Sequence, residues 1–159
     1  MILTFTGTRR GTTPAQLLAA FNLVVLYAPE RFLHGGAPGA DAEIDDLVAP
    51  WYWERGSGEK RLLAAIFGTP PIGVYPAEVD RHAHWMIRAE YAAIREVYEP
   101  QDPLRRNRIM ARLCHRLVAC PAEQIGESLR SGTWATVRYA REAGKPVTIV
   151  RPDGKMEDR

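Results

Sequence analysis

Short apolar runs alternate with longer amphipathic stretches along most of the chain. The runs rich in aliphatic and β-branched residues predict strands at 2–6, 31–34, 72–75, 117–120 and 147–150. Apolar residues that recur every three or four positions predict helices over 14–28, 41–49, 82–98, 104–114 and 133–143. Apolar strands that alternate with helices are typical of a parallel sheet covered on both sides. The pattern therefore predicts an α/β fold, with a parallel sheet of about five strands and helices on both faces.

Local signals place several element boundaries. Thr13 and Gln16 flank Pro14 in the pattern of a capping box, which predicts the start of the first helix. Pro50 is expected to end or kink the second helix. Residues 1–150 then form a single domain, and the polar residues 151–159 are expected to be a loose tail.

Two glycine-rich turns each follow a predicted strand and precede a predicted helix. They are His34-Gly35-Gly36-Ala37-Pro38-Gly39-Ala40-Asp41 and Arg130-Ser131-Gly132-Thr133-Trp134. Ligands of parallel sheets bind beyond the carboxyl ends of the strands, where a helix N-terminus offers N–H groups and a positive dipole to phosphate. We therefore expect a nucleotide-derived ligand between the turns, and we expect Gly36→Val and Gly132→Val to abolish its binding without loss of the fold. The alternative is that the glycines are only turn residues with positive φ.

Charge and cysteine content limit the other classes of function. The net charge of the 159 residues is only +2, which does not favour nucleic acid as a partner. Residues 81–116 do hold eight arginines against four acids, an excess that we interpret as a solvated helix face rather than a phosphate-binding surface. Two cysteines, no metal-binding spacing and no long apolar stretch indicate a reduced cytoplasmic protein with no metal, no cofactor and no membrane segment.

Several side chains near the predicted strand ends could contact such a ligand. Asp41 could accept a hydrogen bond from a ribose hydroxyl or act as a general base, or it could simply favour the dipole of the helix that it begins. Arg9 and Arg106 carry forked donors that suit phosphate. Asn107 could be a helix cap or a ligand contact, and Trp134 is more readily interpreted as core than as a platform for a base.

Five motifs, in this order, resemble the SLOG superfamily, and most closely its YspA and cpYpsA-related group. They are Gly35-Gly36-Ala37-x-Gly39-Ala40-Asp41, Tyr75-Pro76-Ala77, Arg106-Asn107-x-x-Met110, Ser131-Gly132-Thr133 and Ala143-Gly144-Lys145-Pro146-Val147. The resemblance implies a Rossmann-like fold and the binding of nucleotides or nucleotide-derived molecules, such as ADP-ribose or a cyclic nucleotide. It also implies a ligand-binding or active-site role for Arg106 and Asn107.

One departure from the superfamily bears on activity. Its phosphoribohydrolases carry a catalytic glutamate soon after the second glycine motif, whereas Thr133 is followed here by Trp134, Ala135 and Thr136. We therefore expect a sensor or sequestering protein. An alternative is an N-glycosidic hydrolase of the phosphoribohydrolase type, in which Asp41, Glu123 or Glu127 replaces the missing acid. A second alternative is DNA binding of the kind implied by the relative DprA, which the small net charge makes less favourable.

The predicted site draws on all of these segments, with Asp41 as the candidate catalytic residue. The predicted ligand-binding residues are Thr6, Gly7, Thr8, Arg9, Gly35, Gly36, Ala37, Gly39, Asp41, Pro76, Arg106, Asn107, Ser131, Gly132 and Thr133. The predicted helices 82–98 and 104–114 are rich in aromatic residues, isoleucine and methionine, which predicts a homodimer or larger assembly. The alternative is that these residues close the core of a monomer.

Overall fold

The computed structural model describes residues 1–55, 71–78 and 94–159. The strands in these ranges are β1 (Ile2–Gly7), β2 (Arg31–His34), β3 (Ile72–Val74), β4 (Arg95–Val97), β5 (Arg116–Cys120), β6 (Val147–Val150) and β7 (Met156–Asp158). The helices are α1 (Pro14–Tyr27), α2 (Ala40–Arg55), α3 (Pro103–Leu113) and α4 (Gly132–Glu142).

The strands form one sheet in the order β4-β3-β2-β1-β5-β6-β7. All neighbours pair in parallel except β6 and β7, which are antiparallel. The chain steps outward from β1 to β4 and then returns to place β5 on the other side of β1. The Rossmann-like α/β fold is thus confirmed, and the strand order reverses between β1 and β5, where such sheets form a ligand crevice.

Alternation of side chains along the strands divides the core between the two faces of the sheet. Val118 and Cys120 of β5 pack in the cluster that includes α1 and α2. Leu117 and Ala119 of the same strand pack on the opposite side, in the cluster that includes α3 and α4. The prediction of helices on both faces is therefore confirmed.

The sheet is wider than predicted because two segments that were predicted to be helix and loose tail form edge strands instead. Arg95–Val97 lies at the end of the stretch predicted as a helix over 82–98, but it pairs with β3 as an edge strand. The part of that predicted helix at 82–93 lies outside the described residues. Met156–Asp158 pairs with β6, so the predicted loose tail contributes an edge strand instead. Both short strands are defined by pairing with a partner distant in sequence, which local spacing does not reveal.

Helix α2 also differs from its prediction, because it continues through Pro50 to Arg55. A proline inside a helix removes one hydrogen bond and crowds the preceding turn. Here the residues beyond it, Trp51 to Trp53, pack against the core cluster of α1 and α2. This packing compensates for the lost hydrogen bond, so the helix does not end at Pro50.

Candidate functional site

A cavity of about 370 Å³ lies at the carboxyl ends of β1 and β5, where the strand order reverses. Its walls come from the loops after β1, β2 and β5, from α3 and from the start of α4. The predicted residues that line it are Thr6, Gly7, Thr8, Arg9, Ala37, Asp41, Arg106, Asn107, Ser131, Gly132 and Thr133. The predicted residues outside its lining are Gly35, Gly36, Gly39 and Pro76. The fold thus brings together segments more than a hundred residues apart in the sequence.

Close contact between the loop after β1 and the start of α2 forms one wall. The Thr8 carbonyl accepts hydrogen bonds from the N–H groups of Gly11, at 3.2 Å, and Ala40, at 3.0 Å. Gly39 has φ of +84°, and a Cβ there would lie 2.5 Å from the Arg9 carbonyl oxygen. This glycine is therefore required by the close approach of two backbones, although it does not itself line the cavity.

Three N–H groups of the first glycine turn are already used within the protein. Gly36 N–H donates to His34 Nδ1 at 3.2 Å, and Ala37 N–H donates to Asp41 Oδ2 at 3.3 Å. The Ala40 N–H is taken by Thr8, as described above. Gly36 also has φ of +61°, and a Cβ there would lie 2.6 Å from a Val74 methyl. Gly36→Val would therefore disturb the fold itself, contrary to the expectation from sequence.

Asp41 is the polar group that this turn presents to the cavity. Its side chain lines the cavity, although the residue is only 5% exposed. Its Oδ1 atom has no hydrogen-bond partner among the described residues. Burial raises the pKa of Asp41, while the nearby His34 and Arg106 and the N–H groups of Ala37 and Gly35 oppose that shift. The first turn therefore presents a buried carboxyl group to the cavity, and one oxygen of this group has no hydrogen-bond partner among the described residues.

Arg106 explains why Gly35 is needed although it does not line the cavity. The guanidinium occupies the space where a Gly35 side chain would begin, and Asp41 Oδ2 would be 2.7 Å from the same point. Arg106 Nη1 donates to the Tyr75 carbonyl at 3.3 Å, which carries the side chain from α3 across to the end of β3. Gly35 thus makes room for a cation beside the Asp41 carboxyl group.

The second glycine turn is arranged differently. Ser131 caps α4 by accepting a hydrogen bond from Trp134 N–H, and the first turn of α4 contains no acidic residue. The N–H groups of Gly132 and Thr133 begin the helix and have no acceptor within it. A Cβ on Gly132 would have the Asn107 amide, at 3.8 Å, as its nearest neighbour, so packing does not require glycine here. The start of α4 therefore has no acidic side chain in its first turn, whereas Asp41 and Glu43 lie in the first turn of α2.

Among the described residues, four arginines line the cavity, and they are Arg9, Arg10, Arg106 and Arg130. Asn107 joins α3 to the second turn, because its Nδ2 donates to the Gly132 carbonyl at 3.2 Å. The cavity thus combines several cationic side chains and the start of α4 with the buried Asp41 carboxyl group.

The carboxylates considered for hydrolysis have separate environments. Glu123 lines the cavity, and its Oε2 accepts a hydrogen bond of 2.9 Å from Nε1 of the fully buried Trp134. Glu127 is exposed and is held by Arg159 at 2.6 Å and Arg141 at 3.3 Å. Asp41 and Glu123 therefore face the cavity, whereas Glu127 ties surface arginines together. Trp134 belongs to the core, as the sequence favoured.

A buried polar cluster of His34, Asp45 and Arg95 lies next to the first turn. Asp45 Oδ2 lies 2.5 Å from Arg95 Nη2, and Asp45 Oδ1 lies 3.3 Å from His34 Nε2. Burial alone would raise the pKa of Asp45, but the neighbouring His34 and Arg95 outweigh it and hold this pKa below its usual value. Because His34 Nδ1 accepts from Gly36, the imidazole links this cluster to the turn.

Pro76 has a structural role, because its carbonyl accepts a hydrogen bond from Gln101 N–H at 3.1 Å beside the sheet edge. Sequence reasoning left Arg10, Ala122, Ser128 and Arg130 out of the predicted set, and Glu123 entered it only as an alternative acid. The position of Arg130 at the start of the second turn, directly before Ser131, could have indicated that it lines the cavity. The sequence carries no comparable signal for Ala122 or Ser128, which belong to the loop after β5.

Comparison with models of protein families and with curated proteins gives no match to this chain. The resemblance to the SLOG superfamily therefore stays a prediction. Within residues 1–55, 71–78 and 94–159, no group of three or more His, Cys, Asp and Glu side chains could hold a metal ion. None of the helices in the same ranges combines the length and apolar character needed to cross a membrane.

Proposed function

We propose that this protein binds a nucleotide-derived small molecule in the cavity between β1 and β5, and that it acts as a sensor or a sequestering protein. The observation that supports this most is the lining of the cavity, which combines several arginines and the start of α4 with the buried carboxyl group of Asp41. A phosphorylated sugar has matching groups, because its anion suits the arginines and the helix start and its hydroxyl donors suit the carboxyl group.

The phosphate is assigned to the start of α4. The N–H groups of Gly132 and Thr133 and the positive end of the helix dipole favour an anion there. Arg9, Arg10 and Arg130 also line the cavity and add donors and charge. The start of α2 is a poorer phosphate site, because the Ala40 N–H is bonded to Thr8 and the acids Asp41 and Glu43 occupy the first turn of the helix.

The ribose is assigned to Asp41. A sugar hydroxyl that donates to Asp41 Oδ1 would supply the partner that this oxygen lacks among the described residues. Because the oxygen is buried before a ligand binds, the carboxyl group has to turn toward the cavity to accept this hydrogen bond. A buried acceptor without a partner costs about 1–3 kcal/mol, so the hydrogen bond would favour ligands with a hydroxyl at that position. Asn107 also lines the cavity, beside Gly132, and could contact the phosphate or the sugar.

The test is a thermal-shift and calorimetric comparison of adenosine 5′-monophosphate, cyclic AMP, ADP-ribose, adenosine and inorganic phosphate. We expect the phosphorylated nucleosides to bind and adenosine to bind at least tenfold more weakly. A ligand at about a hundred times its Kd adds about 2.7 kcal/mol of stability, or roughly 5–10 °C in Tm for a chain of this length. Guanine, cytosine and uracil nucleotides complete the panel, because the cavity does not identify the base.

Gly132→Val is the matched test of the second turn, with Ala143→Val at the far end of α4 as its control. The valine side chain has room at position 132 but reduces the space beside Asn107, so binding should be lost while the fold is kept. Ala143 is exposed and distant from the cavity lining, so its variant should bind normally. The proposal is wrong if no ligand of the panel shifts the Tm, or if Gly132→Val binds as the wild type does.

A second candidate function is hydrolysis of an N-glycosidic bond, for which Asp41, a buried carboxyl group that lines the cavity and whose pKa is raised by burial, is the candidate general acid. We expect release of free base from nucleoside monophosphates to be slow or absent, since no acid follows Thr133. Rapid release that Asp41→Asn abolishes would support the enzyme over the sensor.

A further inference from the structure

Helix α1 has an unusual composition for a helix at the surface. None of its 14 residues is charged, from Pro14 to Tyr27. Three large aliphatic side chains are nevertheless exposed, with Leu18 at 60%, Val25 at 41% and Leu26 at 73%. A surface helix normally turns charged or polar residues outward, and one that is apolar all round is normally buried. The outer side of α1 is therefore suited to being covered.

The exposed residues form one straight stripe. Ala15, Leu18, Asn22 and Val25 are all exposed and are spaced by three, four and three positions, as in the seam of a coiled coil. Leu26, four positions after Asn22, is exposed on the same side and belongs to the stripe. Residues that anchor the helix to the sheet, such as Ala20, Leu23 and Val24, lie on the other side and are buried. The stripe is thus not needed for folding of the single chain.

We infer that a second copy of this chain docks on this α1 stripe, so that the two helices pair about a two-fold axis. Because the helix has no charge, two identical copies meet without repulsion, whereas a charged partner would find no opposite charge. Asn22 lies near the middle of the helix, and its amide can both donate to and accept from the same amide of the other copy. A single asparagine in such a seam is a known means of fixing the register of paired helices.

An interface of standard size would need α2 as well as α1. At 1.5 Å per residue, α1 is about 21 Å long and α2 about 24 Å, and packed helices lie about 8–10 Å apart. A standard interface covers about 800 Å² per partner, which is about a tenth of the 8281 Å² exposed by this chain. The α1 stripe alone is too narrow for that area, so α2, which packs beside α1 and whose Leu47 is 37% exposed, has to contribute.

Helix α3, where the sequence predicted the interface, is less suitable. Met110 is 1% exposed and Ile94 is 3% exposed, so both are used by the core. The exposed side of α3 carries Arg105, Arg108 and Arg112, and two copies paired there would bring like charges together. Tyr98 and Ile109 are half-buried against the core, and the part of the predicted interface between 82 and 93 lies outside the described ranges.

The test compares a double variant on α1 with a matched variant on α3. The inference predicts a wild-type dimer by light scattering and sedimentation over a wide range of concentration. Leu18→Glu with Leu26→Glu should raise the dissociation constant at least about 100-fold, because four charges would enter the interface. Leu104→Glu on α3, at a side chain that is 53% exposed, should leave the dimer unchanged. Circular dichroism melting checks that each variant folds.

Asn22→Asp tests the two-fold pairing itself. Two aspartates close to the axis would repel each other, so dimerisation should weaken at low salt and partly recover at high salt. The inference is overturned by a monomer mass at every concentration, by a double variant that stays dimeric, or by dissociation caused by Leu104→Glu. Dimerisation of Asn22→Asp that equals the wild type at low salt would also overturn it. None of these outcomes depends on ligand binding, so the inference stands or falls apart from the proposed function.

Discussion

Replacing Asp41 by asparagine should make the protein more stable and, at the same time, impair ligand binding. The side chain is almost fully buried, and Oδ2 accepts from Ala37 while Oδ1 has no partner among the described residues. Asparagine has nearly the same shape, and its Oδ1 can keep the hydrogen bond from Ala37 N–H. The substitution therefore removes a buried negative charge with little change in packing.

The sign of the stability change follows from the competing contributions. Burial of an ionised carboxylate opposes folding, whereas the amide that replaces it carries no charge, although its Nδ2 finds no better partner than Oδ1 had. Against this, the attraction of a carboxylate to a helix N-terminus stabilises by about 0.3–1 kcal/mol, and Arg106 and His34 add to it. Because burial prevails and raises the pKa of Asp41, we expect a net gain of about 1 kcal/mol for Asp41→Asn at neutral pH. For a chain of this length that is roughly 2–4 °C in Tm.

The gain should depend on pH. In the folded state the pKa of Asp41 is raised above its unfolded value, so the folded protein holds the proton at pH values where the unfolded chain has released it. Below the unfolded pKa both states are protonated and the wild type loses nothing. As pH rises through the raised pKa, the wild type loses stability relative to the variant. The difference in Tm should therefore be small near pH 4 and largest at neutral and higher pH.

The measurement is a series of thermal melts of both proteins between pH 4 and 8. It is combined with calorimetric titration of adenosine 5′-monophosphate, cyclic AMP and ADP-ribose. Asp46→Asn is the control, because Asp46 belongs to the same helix but is exposed, and its effect should stay within about 0.5 kcal/mol. Binding by Asp41→Asn should weaken at least about tenfold, or about 1.4 kcal/mol. A variant that is less stable than the wild type at pH 7 would refute the reasoning, since Asp41 would then be a structural cap of α2.

Three further predictions concern the supports of the site and its alternatives. Gly36→Ala should destabilise by about 1–3 kcal/mol in denaturant melts, because φ of +61° and the Val74 methyl both disfavour a side chain, whereas Gly132→Ala should be nearly neutral. Asp45→Asn should lower the free energy of unfolding by about 3–5 kcal/mol in denaturant melts, because it leaves the buried Arg95 without its carboxylate. The pKa of Asp45 is lowered in the folded state, so this difference between variant and wild type should shrink as pH falls below the usual carboxyl range. Fluorescence anisotropy with single-stranded DNA should show no sub-micromolar binding at physiological salt, and tight binding with a steep salt dependence would contradict this.

Local pattern was sufficient for the elements that carry the cavity. The cavity lies at the ends of apolar strands, which their composition identifies. Helix α4 begins after Ser131, a residue type that is typical of helix N-caps. Thr13 likewise caps α1, as its position before Pro14 predicted. Gln16, however, does not complete the capping box. Its amide instead donates to the carbonyls of Pro121 and Val150, since the fold brings two buried acceptors to it.

The two turns show where sequence reasoning reached its limit. In sequence both are glycine-rich segments between a strand and a helix, and both look equally suited to a phosphate. The hydrogen bonds that separate them come from His34, Thr8 and Asp41 in the first turn, and their geometry depends on how α2 approaches the loop after β1. Such distances between distant segments are not encoded in any local pattern.

The sequence by itself determined the class of fold and the edge of the sheet where the candidate site lies, because periodicity and turn chemistry act over a few residues. Only the tertiary structure decided the rest. It showed why Gly35, Gly36 and Gly39 are needed whereas Gly132 is not, which acids face the cavity, and that residues 156–158 form an edge strand. It also showed that exposed apolar surface lies on α1 while Met110 of α3 is core. These properties depend on burial and pairing between segments far apart in the chain, and burial is a property of the folded molecule.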